Sequence, residues 1–248
     1  MTKNVAIVCG GNTGEYEISI ASAQVVLKNL DTAKYAGYLI LIDGNNWYYH
    51  DHGEKYLVDK NDFSLDLGKG KIRFDAVFNA IHGTPGEDGK LQGYFDLLEI
   101  PYTSCNPATS SLTFNKYFCN RFVSSYGIKT APGISFSRGE NPDWEAVVDK
   151  LGLPLFVKPV ESGSSVGITR VGDSSELKAA AEKAFEFGDR IIMESHIKGR
   201  ELACGLINRG TELIVFPLTE IISKKDFFDY EAKYTAGMAD EITPADVP

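Results

Sequence analysis

Three stretches of the chain hold side chains whose types and spacing suit chemistry. In Phe78-Asn-Ala-Ile-His-Gly-Thr-Pro-Gly-Glu-Asp-Gly-Lys-Leu-Gln-Gly-Tyr94, an apolar run leads into a loop with His82, Glu87, Asp88 and Lys90, and Gly83, Gly86 and Gly89 free the backbone to turn. Ligands of open α/β sheets gather beyond the carboxyl ends of strands, where this loop falls. In Leu155-Phe-Val-Lys-Pro-Val-Glu-Ser-Gly-Ser-Ser-Val-Gly167, Lys158 ends an apolar strand, so its ammonium needs an anionic partner. The small-residue loop Ser162–Gly167 after it can close over phosphate oxygens or serve as a plain hairpin turn. In Arg190–Ile197, Glu194 ends a strand where a carboxylate could accept from an exocyclic amine of a purine. Glu201 could take ribose hydroxyls, and the competing reading of both acids is solvated surface. A fourth cluster, Cys9-Gly-Gly-Asn-Thr-Gly14, fails the G-x-G-x-x-G spacing, because Cys9 stands where the tight-turn glycine belongs. It presents Glu15, Glu17 and Ser19 at a helix start, either as site residues or as an N-cap.

The elements that must position these residues alternate in type through the first half. Val5–Cys9 reads as a strand, Ile18–Leu30 as a helix, Tyr38–Asp43 and Asp75–Ile81 as strands, Leu91–Leu98 as a helix and Ile100–Ser104 as a short strand. Strand alternating with helix predicts a parallel sheet. The loop Gly86–Gly89 is expected to cap the Leu91 helix, and a further helix runs from near Thr113–Lys116 to about Tyr126. The apolar runs Leu155–Val157, Gly167–Val171, Ile191–Met193, Glu201–Ile207 and Leu213–Phe216, with a helix at Ser175–Phe187 and a turn at Asn208–Gly210, predict an antiparallel α+β unit. Past Ile222 the chain is polar and aromatic through Tyr234, with no closing element expected before Pro248.

Composition bounds the function classes. With 248 residues, 43% hydrophobic and 24% charged, the chain suits a soluble protein of two or three subdomains. A formal net charge of -9 argues against nucleic acid or anionic lipid as a partner. No segment reads as a signal peptide or membrane span, so a cytoplasmic protein is expected. Cys9, Cys105, Cys119 and Cys204 lack metal spacing and are expected to be buried, reduced thiols. His50 and His52, in Tyr48-Tyr-His-Asp-His-Gly53, could begin a metal site, but with no third ligand nearby a solvated turn is the stronger reading.

Taken together, the motifs resemble the D-alanine–D-alanine ligase family of ATP-grasp enzymes over essentially the whole chain. The resemblance rests on Gly10-Gly11 with Glu15-Tyr-Glu-Ile-Ser19, on His82–Gly93, on Lys158-Pro with Gly163-Ser-Ser-Val-Gly167, and on Phe228-Asp-Tyr-Glu-Ala-Lys-Tyr234. It implies an α/β and α+β fold, with a Rossmann-like parallel-sheet subdomain (1–104), a central ATP-grasp subdomain (105–196) and the start of a C-terminal ATP-grasp subdomain with a lid loop (197–248), this last incomplete. It implies ATP-dependent ligation of two D-alanines through a D-alanyl phosphate for peptidoglycan precursors, with Mg2+ or Mn2+ and a homodimer through the N-terminal domain.

By position, the resemblance implies that Lys116 and Lys158 hold phosphates, with Ser165 adding a loop contact. Glu194 and the backbone of Ser195 and Ile197 would take the adenine, and Glu201 the ribose. Glu15 would meet the first D-alanine's ammonium, His82 would border that subsite, and Ser164 and Tyr234 would orient Glu15 and close the site. Lys233 would reach the γ-phosphate from the Phe227–Tyr234 lid, which excludes water. Two departures stand out. Ser162 replaces the family glutamate before Gly163, with Glu161 one place earlier. The family's metal-binding Asp, Glu and Asn and a catalytic arginine come after the lid, beyond Pro248, so the expectation is a 248-residue chain without turnover. The rival readings are a ligase that makes D-alanyl-D-lactate or D-alanyl-D-serine, against which Tyr234 in Glu231-Ala-Lys-Tyr argues, and a noncatalytic nucleotide-binding fragment.

Overall fold

The computed structural model of the chain describes residues 2–223, 235 and 237–247, which form two compact units, Met1–Ile128 and Lys129–Pro248. In the first unit β1 (Lys3–Gly10), α1 (Tyr16–Asn29) and β2 (Tyr35–Asp43) are followed by four short strands: β3 (Asn46–Asp51), β4 (Glu54–Asp59), β5 (Ser64–Asp66) and β6 (Lys71–Arg73). Then come β7 (Ala76–Asn79), α2 (Lys90–Leu97), α3 (Pro107–Phe114) and α4 (Lys116–Ser125). The strands form one sheet in the order β6-β5-β4-β3-β2-β1-β7.

β1 is buried on both sides, and its alternation divides the core. Val5, Ile7 and Cys9 pack with Ala23 of α1, while Ala6 and Val8 pack with Ile40, Ile42, Phe63 and Phe95 on the other face. Cys9 is fully enclosed, and burial pushes its thiol up to about 12. The folded state therefore holds this proton more tightly than the unfolded chain. The associated stability is intact below the ordinary thiol value of about 8.5 and declines as pH rises past it. We expect iodoacetamide at pH 8 to label the exposed Cys105 and Cys204 and spare Cys9 until the protein is unfolded. Labelling of Cys9 at the same rate, read by peptide mass spectrometry, would contradict its burial.

Several expectations are corrected here. Only β2, β1 and β7 run parallel. From β2 outward to β6 every pairing is antiparallel, so the sheet is mixed. Short hairpins need no crossover helix, and their strands are too brief to show as apolar runs. The stretch Tyr48–Gly53 is not merely a solvated turn. Tyr48 and Tyr49 lie in β3 opposite Leu57 and Tyr56, and only His52 and Gly53 make the bend, both with positive φ. Ile100–Ser104 contributes a single bridge, Val77 to Tyr102, rather than a strand. Cys105 and Cys204 are exposed, because they lie in connecting segments.

The helix expected from near Thr113–Lys116 to about Tyr126 is α4, and a helix not read in the sequence, α3, precedes it, the two meeting at Asn115. That residue ends α3 with extended backbone and caps α4, its Oδ1 accepting from Phe118 N at 3.0 Å. The loop ahead of α2 does cap it. Gly89, in the left-handed region, occupies the N-cap position and has no side chain to offer, so the cap comes from the residue before it, Asp88 Oδ1 accepting from Lys90 N at 3.2 Å. Glu87 accepts from Gly83 N at 2.7 Å, and the Asp88 carboxylate accepts from Thr84 and Lys90.

The second unit contains β8 (Gly133–Ser137), α5 (Trp144–Leu151), β9 (Leu155–Pro159), β10 (Thr169–Val171), a 3-10 turn at Ser174–Glu176, α6 (Leu177–Phe185) and β11 (Arg190–Ser195). These strands form a wholly antiparallel sheet, β10-β9-β11-β8. Leu155, Val157, Ile191 and Met193 turn to α5 and α6, where they meet Val147, Leu177, Ala180 and Ala184. β12 (Glu201–Ala203), β13 (Leu206–Arg209), β14 (Glu212–Val215), β15 (Thr219–Ser223) and β16 (Ala239–Ile242) follow. The apolar run Glu201–Ile207 is thus split between two strands. The expectation of no closing element fails as well, since β16 pairs with β15 in the sheet β12-β15-β16. Its sequence, Ala-Asp-Glu-Ile, is too polar to be read as a strand without its partner.

Candidate active site

In the first unit the site grows from the ends of β1 and β7. Gly10 and Gly11 have φ of +91° and +97°. A Cβ on Gly10 would lie 2.5 Å from the Ile42 carbonyl oxygen, and one on Gly11 2.7 Å from Ile81 Cγ2. Only glycine lets the chain leave the sheet at this point. Ser19, fully buried, then ties helix to sheet, its hydroxyl donating to Ala80 O at 2.8 Å and accepting from Gly10 N at 2.9 Å.

Glu15 is the residue at the N-cap of α1, yet its side chain makes no capping bond. It is only 4% exposed. The enclosed side chain is thus not the cap acceptor of α1. The next residue, Tyr16, is uncharged at physiological pH, its phenol pushed up to about 12 chiefly by burial and then by Tyr48 and Asp43. His82 is half-buried, with Nε2 3.4 Å from the Ser22 hydroxyl of α1. Its carbonyl accepts from Thr13 Oγ1 at 3.0 Å, and Thr13 Oγ1 accepts from Glu15 N at 3.3 Å. The structure therefore joins the Glu15 and His82 segments through Thr13, a residue not singled out in the sequence. A threonine two places before an N-cap is a hint of a local turn. Nothing local points to His82. Lys116 opens α4, where four helix N–H groups attract anions.

In the second unit Lys158 lies opposite Ile192, and Phe156 lies opposite Glu194. With Leu155 and Val157 facing the helices, Lys158 and Glu194 share the other face of the sheet. They form an ion pair, with the side chains 22% and 6% exposed. This is the anionic partner that the burial of Lys158 demanded. The loop after β9 turns through Ser164 and Ser165, whose φ values of +47° and +61° are uncommon for residues with a side chain. Successive N–H groups in such a turn form a concave anion cradle. Ser162 closes the loop on itself, its hydroxyl donating to Val166 O at 3.3 Å.

Ser195 ends β11 with its N–H bound to Pro132 O at 3.0 Å and its hydroxyl to Leu151 O at 2.7 Å. Ile197 follows at 64% exposure, and Glu201 is exposed on β12. Lys233 and Tyr234, with the rest of the Phe227–Tyr234 lid, lie outside the described residues. Among the described residues, no three His, Cys, Asp or Glu side chains converge on a point suited to a metal, and no helix is long and apolar enough to cross a membrane.

A glycine-turned mixed sheet, followed by an antiparallel sheet with a lysine–glutamate face and a left-handed serine loop, has the parts of an ATP-grasp fold. The comparisons agree. Residues 4–105 match the model described as D-ala D-ala ligase N-terminus, and residues 122–248 match D-ala D-ala ligase C-terminus. The chain belongs to the D-alanine–D-alanine ligase family. A relative of that name from Azobacteroides pseudotrichonymphae is 47% identical over 98% of this chain and 76% of its own length. One from Flavobacterium johnsoniae is 48% identical over 98% and 75%. Among solved structures, D-alanyl-alanine synthetase A from Vibrio cholerae superposes with a TM-score of 0.87 at 28% identity, covering 99% of this chain and 75% of that one. The VanG D-Ala:D-Ser ligase from Enterococcus faecalis gives 0.83 at 34% identity, covering 100% and 78%. The Bacillus anthracis D-alanine–D-alanine ligase complexed with ATP gives 0.75 at 27%, covering 100% and 72%.

Proposed function

We propose that the chain is a D-alanine–D-alanine ligase, joining two D-alanines through a D-alanyl phosphate in the cytoplasmic supply of peptidoglycan precursors for cell-wall growth and cell shape. The observation that carries this is 47–48% identity, over nearly the whole chain, to relatives named for that activity. ATP supplies the phosphoryl group that activates the first D-alanine's carboxylate. The chain's own contribution is positioning and charge. Glu15, with its carboxylate enclosed, holds the first D-alanine's ammonium, and His82 borders that subsite.

Lys116, Lys158 and the Ser165 backbone hold phosphates. Glu194 and the backbone of Ser195 and Ile197 take the adenine edge where β11 ends, and Glu201 takes the ribose. Ser164 and Tyr234, which would orient Glu15 and close the site, and Lys233, which would reach the γ-phosphate, complete the assignment. Mg2+ or Mn2+ would offset phosphate charge, and no residue described here is assigned to it. We further propose functional divisions at 1–104, 105–196 and 197–248, and a homodimer through the first.

The similarity to a D-Ala:D-Ser ligase supports a second reading, in which D-serine is the second substrate. Calorimetry with ATP and with D-alanine, followed by phosphate and product assays with D-alanine, D-serine and D-lactate, tests both. Binding of both ligands by this chain is the expected result, and in a protein that also carries the family's metal-binding and arginine residues phosphate is released only when D-alanine is present, with D-alanyl-D-alanine as the main product. A main product ending in serine selects the second reading. ATP binding with no binding of D-alanine would leave a nucleotide-binding protein and sink the first.

A further inference from the structure

Thr13 lies where the two segments of the proposed D-alanine subsite meet, and its hydrogen bonds have a fixed direction. A carbonyl cannot donate, so the Thr13 hydroxyl hydrogen points at His82 O, 3.0 Å away. The oxygen lone pair then faces the Glu15 N–H, at 3.3 Å. The order is Glu15 N–H to Thr13 Oγ1–H to the His82 carbonyl, spanning 69 positions of sequence in one side chain. The methyl group is engaged too, since a Cβ on Gly83 would lie 2.6 Å from Thr13 Cγ2. Next to it, Asn12 N donates to Thr84 O at 3.0 Å, so the two segments are laced side by side.

A local turn before α1 would need only the bond from Glu15 N. The donated bond to His82, and the methyl against Gly83, have no part in starting a helix. Glu15 itself is at φ -98° and ψ 13°, and its carbonyl accepts the first helical bond, from Ser19 N at 2.9 Å. That bond fixes one side of its peptide plane to α1, and the Thr13 hydroxyl on its amide ties the other to the His82 segment.

We propose that Thr13 is a positioning residue that sets the separation of Glu15 and His82 and thereby tunes affinity for the first D-alanine without touching it. This rests on the assignment of Glu15 and His82 to that subsite. The test compares the chain with Thr13→Ser, Thr13→Val and Thr13→Ala by calorimetric titration with D-alanine and, separately, with ATP. Circular dichroism checks that each variant is folded. Serine keeps the hydroxyl and should bind D-alanine within about twofold of the original. Valine keeps the shape and loses the hydroxyl, leaving the His82 carbonyl without this donor. It and alanine should weaken D-alanine binding about tenfold, equivalent to about 1.4 kcal/mol, with the ATP Kd unchanged.

Equal D-alanine affinity for Thr13→Val and the original overturns the proposal. So does a parallel loss of ATP and D-alanine binding, which is what general loosening would produce. If the unsubstituted chain binds no D-alanine, the subsite assignment fails first and the role of Thr13 falls with it. That outcome is distinct because it appears before any variant is made.

Discussion

Replacing Lys158 with methionine is expected to destabilise the chain by about 2–3 kcal/mol and to weaken ATP binding by more than a hundredfold. The first effect comes from the ion pair with Glu194, the second from the proposed phosphate contact of the same ammonium. Lys158 sits in β9 on the face turned away from the helices, and Glu194 sits diagonally across from it in β11. The glutamate is the more enclosed of the two, at 6% against 22%. Removing one partner of a buried pair costs about 3–5 kcal/mol, because the remaining charge has lost its compensation. The partial exposure of the lysine lowers that figure.

Glu194→Gln should cost less, about 1 kcal/mol, since a lysine stem can carry its ammonium toward water. A double change, Lys158→Met with Glu194→Leu, should regain much of the stability and none of the ATP affinity. Urea denaturation and ATP titration of all three variants measure this. A Lys158→Met variant within 0.5 kcal/mol of the original would show that the pair adds little to the fold.

The second large effect is expected at Gly10→Ala, a loss of about 3–4 kcal/mol. The added Cβ meets the Ile42 carbonyl oxygen at 2.5 Å and Tyr16 Cε2 at 3.0 Å, with φ at +91°. The tyrosine ring can tilt away. The carbonyl cannot retreat freely, because it also accepts from Gly11 N at 2.8 Å. Backbone strain of about 1–3 kcal/mol and overpacking of similar size therefore act together. Gly14→Ala is the control, with no neighbour within 4 Å of its added Cβ, and should change stability by no more than about 0.5 kcal/mol. Denaturation midpoints of the two variants check the contrast. Equal midpoints would mean that the end of β1 relaxes in a way this packing does not allow.

Much of what these variants probe was legible in the sequence. An apolar run such as Val5–Cys9 reports burial directly, and it lies inside β1. The burial of Lys158 demanded an anion, a requirement set by its own ammonium, although nothing in the sequence picked out Glu194 as the partner. In each case the residues that cause the structure are near neighbours, or the requirement is set by one side chain alone.

Tertiary structure decided the rest, because pairing partners are distant and water or another strand can satisfy the same polar backbone. β3 to β6 are short and half polar, so only their place beside β2 makes them a sheet. β16 becomes a strand through its ladder with β15. The motifs by themselves pointed to the family and nominated the residues of the candidate site. Which partner each of those residues takes, from Glu194 for Lys158 to the Thr13 bond across 69 positions, was settled only when folding brought remote donors and acceptors within reach.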